Sequence, residues 1–162
     1  MGQDTSSAAR EFAQRYRNIL CELQLQVGIH RRIETILDAF ADEHPNLRAS
    51  YISREVDECY FGEGQLPAEA LARRRLQGLA VERDTLHEFL AFAHGLQRDT
   101  VDLSSIVRVE ETWLEPRPDE PFVLRVRLHH AFGACTVLLA STGEGQDAAR
   151  AFADRIRYLR GW

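Results

Sequence analysis

The chain has no lysine: all 20 of its basic residues are arginine. Asparagine is nearly absent too, at Asn18 and Asn46 only. Lysine and asparagine share AT-rich codons, so one reading of both shortages is a GC-rich genome. The other is selection of arginine for carboxylate or phosphate pairing. Without a lysine there is no phosphate loop, and Gly62, Gly64 and Gly143 lack its spacing as well. Cysteine is scarce. Cys21, Cys59 and Cys135 are odd in number, and their spacing matches neither a zinc site nor a disulfide framework. Long apolar runs are missing, so neither a membrane span nor a secretory core is expected, and the chain reads as cytoplasmic and reduced. Met1-Gly2 with Ser6 fits the N-myristoylation pattern only formally, because Asp4 intrudes and no basic cluster follows. The Gly-x-Ser-x-Gly and His-Glu-x-x-His motifs are absent. The formal charge of −5 argues against nucleic acid as the main partner.

What is there suits one α+β domain over residues 1–162, a length that buries a sizeable core. Residues 1–7 read as a frayed polar start. From Ala8 to Ala41 the apolar spacing is helical, with Phe12, Tyr16, Ile19, Leu23, Ile33, Leu37 and Phe40 on one seam and Gln26 and His30 filling its middle. One straight helix of that length spans about 50 Å, whereas a domain of this size has a radius of gyration of about 15 Å. The helix therefore breaks, most naturally at Gly28, or it projects and pairs its seam with a second copy.

His44-Pro45-Asn46 ends that region. Tyr51, Ile52, Val56, Cys59, Tyr60 and Phe61 suggest strand over 49–61, with Gly62-Glu63-Gly64 as a turn and Pro67 opening a helix. From Ala68 to His94, Ala72, Leu76, Leu79, Leu86, Leu90 and Ala93 form a helical stripe. Arg83 interrupts it, Gly78 and Asp84-Thr85 permit a break, and Gly95 caps its end.

The last third is the clearest. Val107, Val109, Glu111 and Trp113 alternate on the core face of a strand, as do Phe122, Leu124, Val126, Leu128 and His130 on the next. The link from Glu115 to Pro121 holds three prolines and reads as a loop. The opposite face carries Arg108, Glu110, Thr112, Arg125, Arg127 and His129. A third strand over 134–140 completes an antiparallel meander. A two-residue turn at Phe132-Gly133 or Ala131-Phe132 links it to the second strand; the first option places His130 opposite Cys135 with Cys135, Val137 and Leu139 in the core, and a bulge at Gly133 shifts that register. Ser141-Thr142-Gly143-Glu144 reads as a capping box, and Ala148, Phe152, Ile156 and Leu159 as the buried stripe of a closing helix. Pleckstrin-homology-like domains also end in a meander and a helix, but too few clear strands precede Ile106 here for that family to be drawn in.

No motif specifies a reaction. His130 with Cys135 is a candidate thiol–imidazole pair, though no third orienting residue can be named. Glu111, among apolar neighbours, is a candidate buried acid or base, or else a sheet-edge carboxylate that leans to solvent or pairs with an arginine from a helix. His87 and His94, two helical turns apart, are too distant to share a metal, and no metal or cofactor site is expected. Arg73-Arg74-Arg75, with Arg31-Arg32 far along the chain, could hold phosphate or RNA, but three consecutive arginines fan around a helix and read as a solvated or partner-facing surface. The leading expectation is a non-enzymatic protein-interaction protein, an adaptor, chaperone or regulator, dimerising through the first helix. The alternatives are a small-ligand or enzymatic pocket between meander and helices, and a phosphate or anionic-lipid surface on Arg108, Arg125, Arg127 and His129.

Overall fold

The computed structural model describes residues 7–53, 75–114, 118 and 122–162. It is α+β: α1 (Ala8–Leu20) and α2 (Val27–Glu43), then β1 (Ala49–Ile52), β2 (Leu76–Glu82), β3 (Thr85–Phe92) and β4 (Gly95–Asp102), then β5 (Ile106–Leu114), β6 (Val123–His130), β7 (Cys135–Ala140) and α3 (Gly143–Leu159). Strands β1 to β4 form one antiparallel sheet and β5 to β7 another, each in sequence order.

The first helical region does break, but ahead of Gly28. A short 3-10 turn at Cys21–Leu23 ends at Gln24, which takes a left-handed φ of 51°. Ser7 is not frayed: its hydroxyl caps α1 by accepting the Arg10 N–H at 3.1 Å. The two helices fold back on each other, tied by Arg17 to Asp38 and, at 3.2 Å, to Glu34. Their seam is spent within the chain. Phe12, Tyr16, Ile33, Leu37 and Phe40 are buried against Ile52, Leu76, Ala80, Phe89 and Ala91 of the four-stranded sheet. Ile19 and Leu23 flank that core. Gln26 is exposed before α2, and His30 sits at the rim beside Glu34.

The expected helix over 68–94 is corrected. Its described part is a hairpin, with Glu82 opposite Thr85. Arg83 takes a φ of 52°, a conformation that two-residue hairpin turns require and glycine usually supplies. Strand β2 is buried on both faces, because Leu76 and Ala80 meet the helices while Leu79 and Val81 enter the second core. A strand covered on both faces loses its alternation, and leucines three and four apart then imitate a helix. Gly95 caps no helix; it opens β4 after a turn at Ala93-His94. Among the described residues four strands therefore precede the meander; strand order alone carries no function. Of the expected strand over 49–61, residues 49–52 form β1. Val56, Cys59, Tyr60, Phe61, the turn at Gly62-Glu63-Gly64, Pro67, Ala72, Arg73 and Arg74 lie outside the described residues, as does the 115–121 link apart from Pro118.

The second core lies between the sheets and α3. Phe152, Ala153 and Ile156 pack with Tyr51, Leu124, Val126, Leu128, Leu138 and Ala140. The cap of α3 is Thr142, whose hydroxyl accepts the Gly145 N–H at 3.0 Å. The stripe accordingly uses Ala149 and leaves Ala148 exposed.

Candidate functional site

The functional surface builds up from the alternation of β5 and β6. Leu124, Val126 and Leu128 point into the core, so Arg125, Arg127 and His129 point away from it. The register sets Arg108 opposite His129, Glu110 opposite Arg127 and Thr112 opposite Arg125. All of the expected outer-face residues therefore share one face. Trp113 and Val107 are corrected: 50% and 53% exposed, neither is core. The register slips between Ile106 and Arg108, and this bulge sends Ile106, not Val107, inward.

The three-residue loop to β7 decides the fate of the His130–Cys135 pair. The Gly133 N–H donates to His130 O at 3.0 Å, and the His130 N–H to Ala134 O at 2.9 Å. Gly133 takes a φ of 93°, the left-handed position of such loops. This shifts the register by one residue against the two-residue turn. Cys135 then lies opposite His129, and Thr136, Leu138 and Ala140 face the core in place of Cys135, Val137 and Leu139. His130 is buried, 2.8 Å from Thr136 Oγ1 and 3.4 Å from Ser105 Oγ, on the opposite face from Cys135. Burial, then His129, lowers its pKa.

On the outer face the same register assembles a line of groups that sequence reasoning missed. Cys135 Sγ lies 3.8 Å from His129 Nδ1, and His129 Nε2 lies 3.2 Å from Glu110 Oε1. Arg108 Nη2 is 3.2 Å from the same Nε2, and Arg127 Nε is 3.3 Å from Glu110 Oε1. The His129 hydrogen bond, with Arg127 and Arg108 behind it, pulls Glu110 below the usual carboxylate range. Among the described residues Arg125 makes no ion pair, and its buried Nε has no hydrogen-bond partner. The one signal for this line was the glycine at 133.

Glu111 is a paired carboxylate. Arg157 lies at 2.7 Å and Arg150 at 3.5 Å, both from α3, and its side chain is 26% exposed. With α3 filling the inner face of the meander, Glu111 closes the margin of a core. Among the described residues no group of histidine, cysteine and carboxylates could hold a metal ion.

His87 and His94 lie on a strand and a turn rather than a helix. His87 is 8% exposed, 5.0 Å from the Phe40 ring and 5.4 Å from that of His44, and among the described residues neither ring nitrogen has a hydrogen-bond partner. Burial lowers its pKa first, then the charges of His44 and Arg98, against Glu82. The unfolded chain thus takes this proton first as the pH falls. Stability is present above the ordinary histidine value of about 6.5 and lost below it. Urea midpoints are expected to fall between about pH 7 and pH 5.5, and His87→Phe to flatten that fall. An unchanged slope in the variant would remove His87 from the account.

No family model, curated protein or solved structure matches the chain.

Proposed function

We propose that the chain is a non-enzymatic protein-interaction protein that pairs with a second copy of itself along β5. The observation that carries this is the outer edge of β5. The strand is nine residues long and bonds to β6 on one side, and among the described residues no strand bonds to it on the other. An unpaired edge offers a row of backbone donors and acceptors to another strand. Proteins guard such edges with bulges and charges, and β5 has both, at Val107 and at Arg108, Glu110 and Glu111. The guard is self-complementary. A two-fold axis at Val109 sets Arg108 of one copy against Glu110 of the other, twice, and keeps the faces of both strands aligned. Half-exposed Val107 and Trp113 flank the pairing. The helix seam is already filled within one chain, so the edge of β5 replaces it as the interface.

Arg108→Glu sets like charges against each other at both positions. Such juxtaposition costs several kcal/mol, so the dimer dissociation constant is expected to rise about a hundredfold. Adding Glu110→Arg restores the opposite charges and part of the affinity. Native mass spectrometry reads both. A wild-type chain that is monomeric at about 100 µM, or a dimer indifferent to Arg108→Glu, would overturn the reading.

A further inference from the structure

The outer face of the meander brings together more than an interface needs. Cys135 is an exposed, free thiol. His129 Nδ1 sits against its sulfur, and Glu110 sits against the other ring nitrogen. In the tautomer whose Nε2–H donates to Glu110, the lone pair of Nδ1 faces the thiol, and Arg108, 3.2 Å from the same Nε2, is then a neighbouring charge that donates no hydrogen bond to the ring. This is the order of nucleophile, base and orienting acid that activates a thiol on demand. Arg108, Arg127 and Arg125 share the face of Cys135, Arg127 opposite Val137 and Arg125 opposite Leu139, and their charges act on its sulfur against that of Glu110. Arg127 is paired with Glu110 and Arg108 lies beside the His129 ring, whereas Arg125 has no ion pair among the described residues.

We propose that Cys135 is a modification site for anionic disulfides, of which oxidised glutathione is the simplest, with His129 as its base and Arg125 as the cation that receives a carboxylate of the incoming molecule. His129 Nδ1 takes the thiol proton as Cys135 Sγ attacks one sulfur of the disulfide. The new Sγ–S bond forms, the old S–S bond breaks, and its electron pair leaves on the second sulfur. That sulfur collects the proton from His129. The products are a mixed disulfide on Cys135 and one free thiol, so the disulfide is the oxidant and nothing else is consumed. Burial pushes the Cys135 thiol above its ordinary range, although the three arginines oppose the shift. Cys135 therefore rests as a thiol and depends on its base; it is not a standing thiolate open to any reagent.

Cys21 is the internal standard. It is also exposed and free, but its sulfur hydrogen-bonds the Arg17 carbonyl, and among the described residues no imidazole bonds to it. The full chain is treated at neutral pH with oxidised glutathione, and separately with cystamine, a cationic disulfide. Peptide mass spectrometry then follows each cysteine. Cys135 is expected to react with oxidised glutathione about tenfold faster than Cys21, and to prefer it over cystamine where Cys21 does not. His129→Gln should bring Cys135 down towards Cys21. Arg125→Glu should reverse the preference between the two disulfides and leave Cys21 unchanged. Equal rates at Cys135 and Cys21 in the wild-type chain, or a preference for cystamine at Cys135, would overturn the proposal without reference to any variant. A His129→Gln chain whose Cys135 still reacts faster than Cys21 would remove the base.

Discussion

Replacing Gly78 by alanine is expected to destabilise the chain by about 2 kcal/mol, while the same substitution at Gly28 stabilises it by up to about 1 kcal/mol. Gly78 lies in β2 and Gly28 in α2, and they differ above all in what a Cβ would meet. At Gly78 it would stand 2.8 Å from two ring atoms of Tyr16 and 2.9 Å from the Phe12 ring. Neither ring can yield. Both are buried, their centroids are 6.2 Å apart, and Phe12 is packed in turn against Phe40 and Phe89. Relief must come from moving α1 off the sheet, which opens the first core. Around Gly28, in the first turn of α2, nothing lies within 4 Å, so only the helical preference for alanine is felt. At roughly 2–4 °C per kcal/mol, the two melting temperatures should separate by about 6–12 °C. A Gly78→Ala chain as stable as wild type would mean that the helices do not rest on β2 as described.

Removing one oxygen from Tyr16 should cost about as much or more. The hydroxyl donates to Leu76 O at 2.8 Å and accepts the Ala91 N–H at 3.1 Å, so one buried group joins α1 to β2 and to β3. Tyr16→Phe keeps the ring and leaves a buried carbonyl and a buried N–H without that partner. Each orphan costs about 1–3 kcal/mol, and a loss of about 3 kcal/mol by urea denaturation is expected. Burial holds the phenol far above its ordinary pKa, so the penalty should not vary with pH in the neutral range. A loss under about 1 kcal/mol would mean that the backbone groups find other partners.

Physical causes separate what could be read in the sequence from what could not. The meander was legible because β6 is covered on one face, so Leu124, Val126 and Leu128 alternate cleanly with Arg125, Arg127 and His129. The pairing of odd positions in β5 with even positions in β6 followed from that alternation. The hairpin of β2 and β3 was hidden for the opposite reason: two-sided burial of β2 removed the alternation, and the turn is made by Arg83 where a glycine would have announced it. Gly78, which looked like a helix break, is the place where two aromatic rings reach the sheet. At the candidate site, the shared face of Arg108, Arg125, Arg127 and His129 was legible. The partner of Cys135 was not, because a single left-handed glycine at 133 moves β7 by one residue, and one residue in a strand is the difference between two faces. The bulge at Val107 escaped for a like reason, since a run of alternating valines carries no mark of an inserted residue.

The proposed dimer pairs two copies of the chain along β5. Amide hydrogen exchange, followed by peptide at about 1 µM and again at about 200 µM protein, tests it most directly. Peptides covering Val107 to Thr112 are expected to gain protection at the higher concentration, while those covering α1 and α2 stay the same. Protection in β5 that ignores concentration, or a concentration-dependent gain confined to the helices, would contradict it.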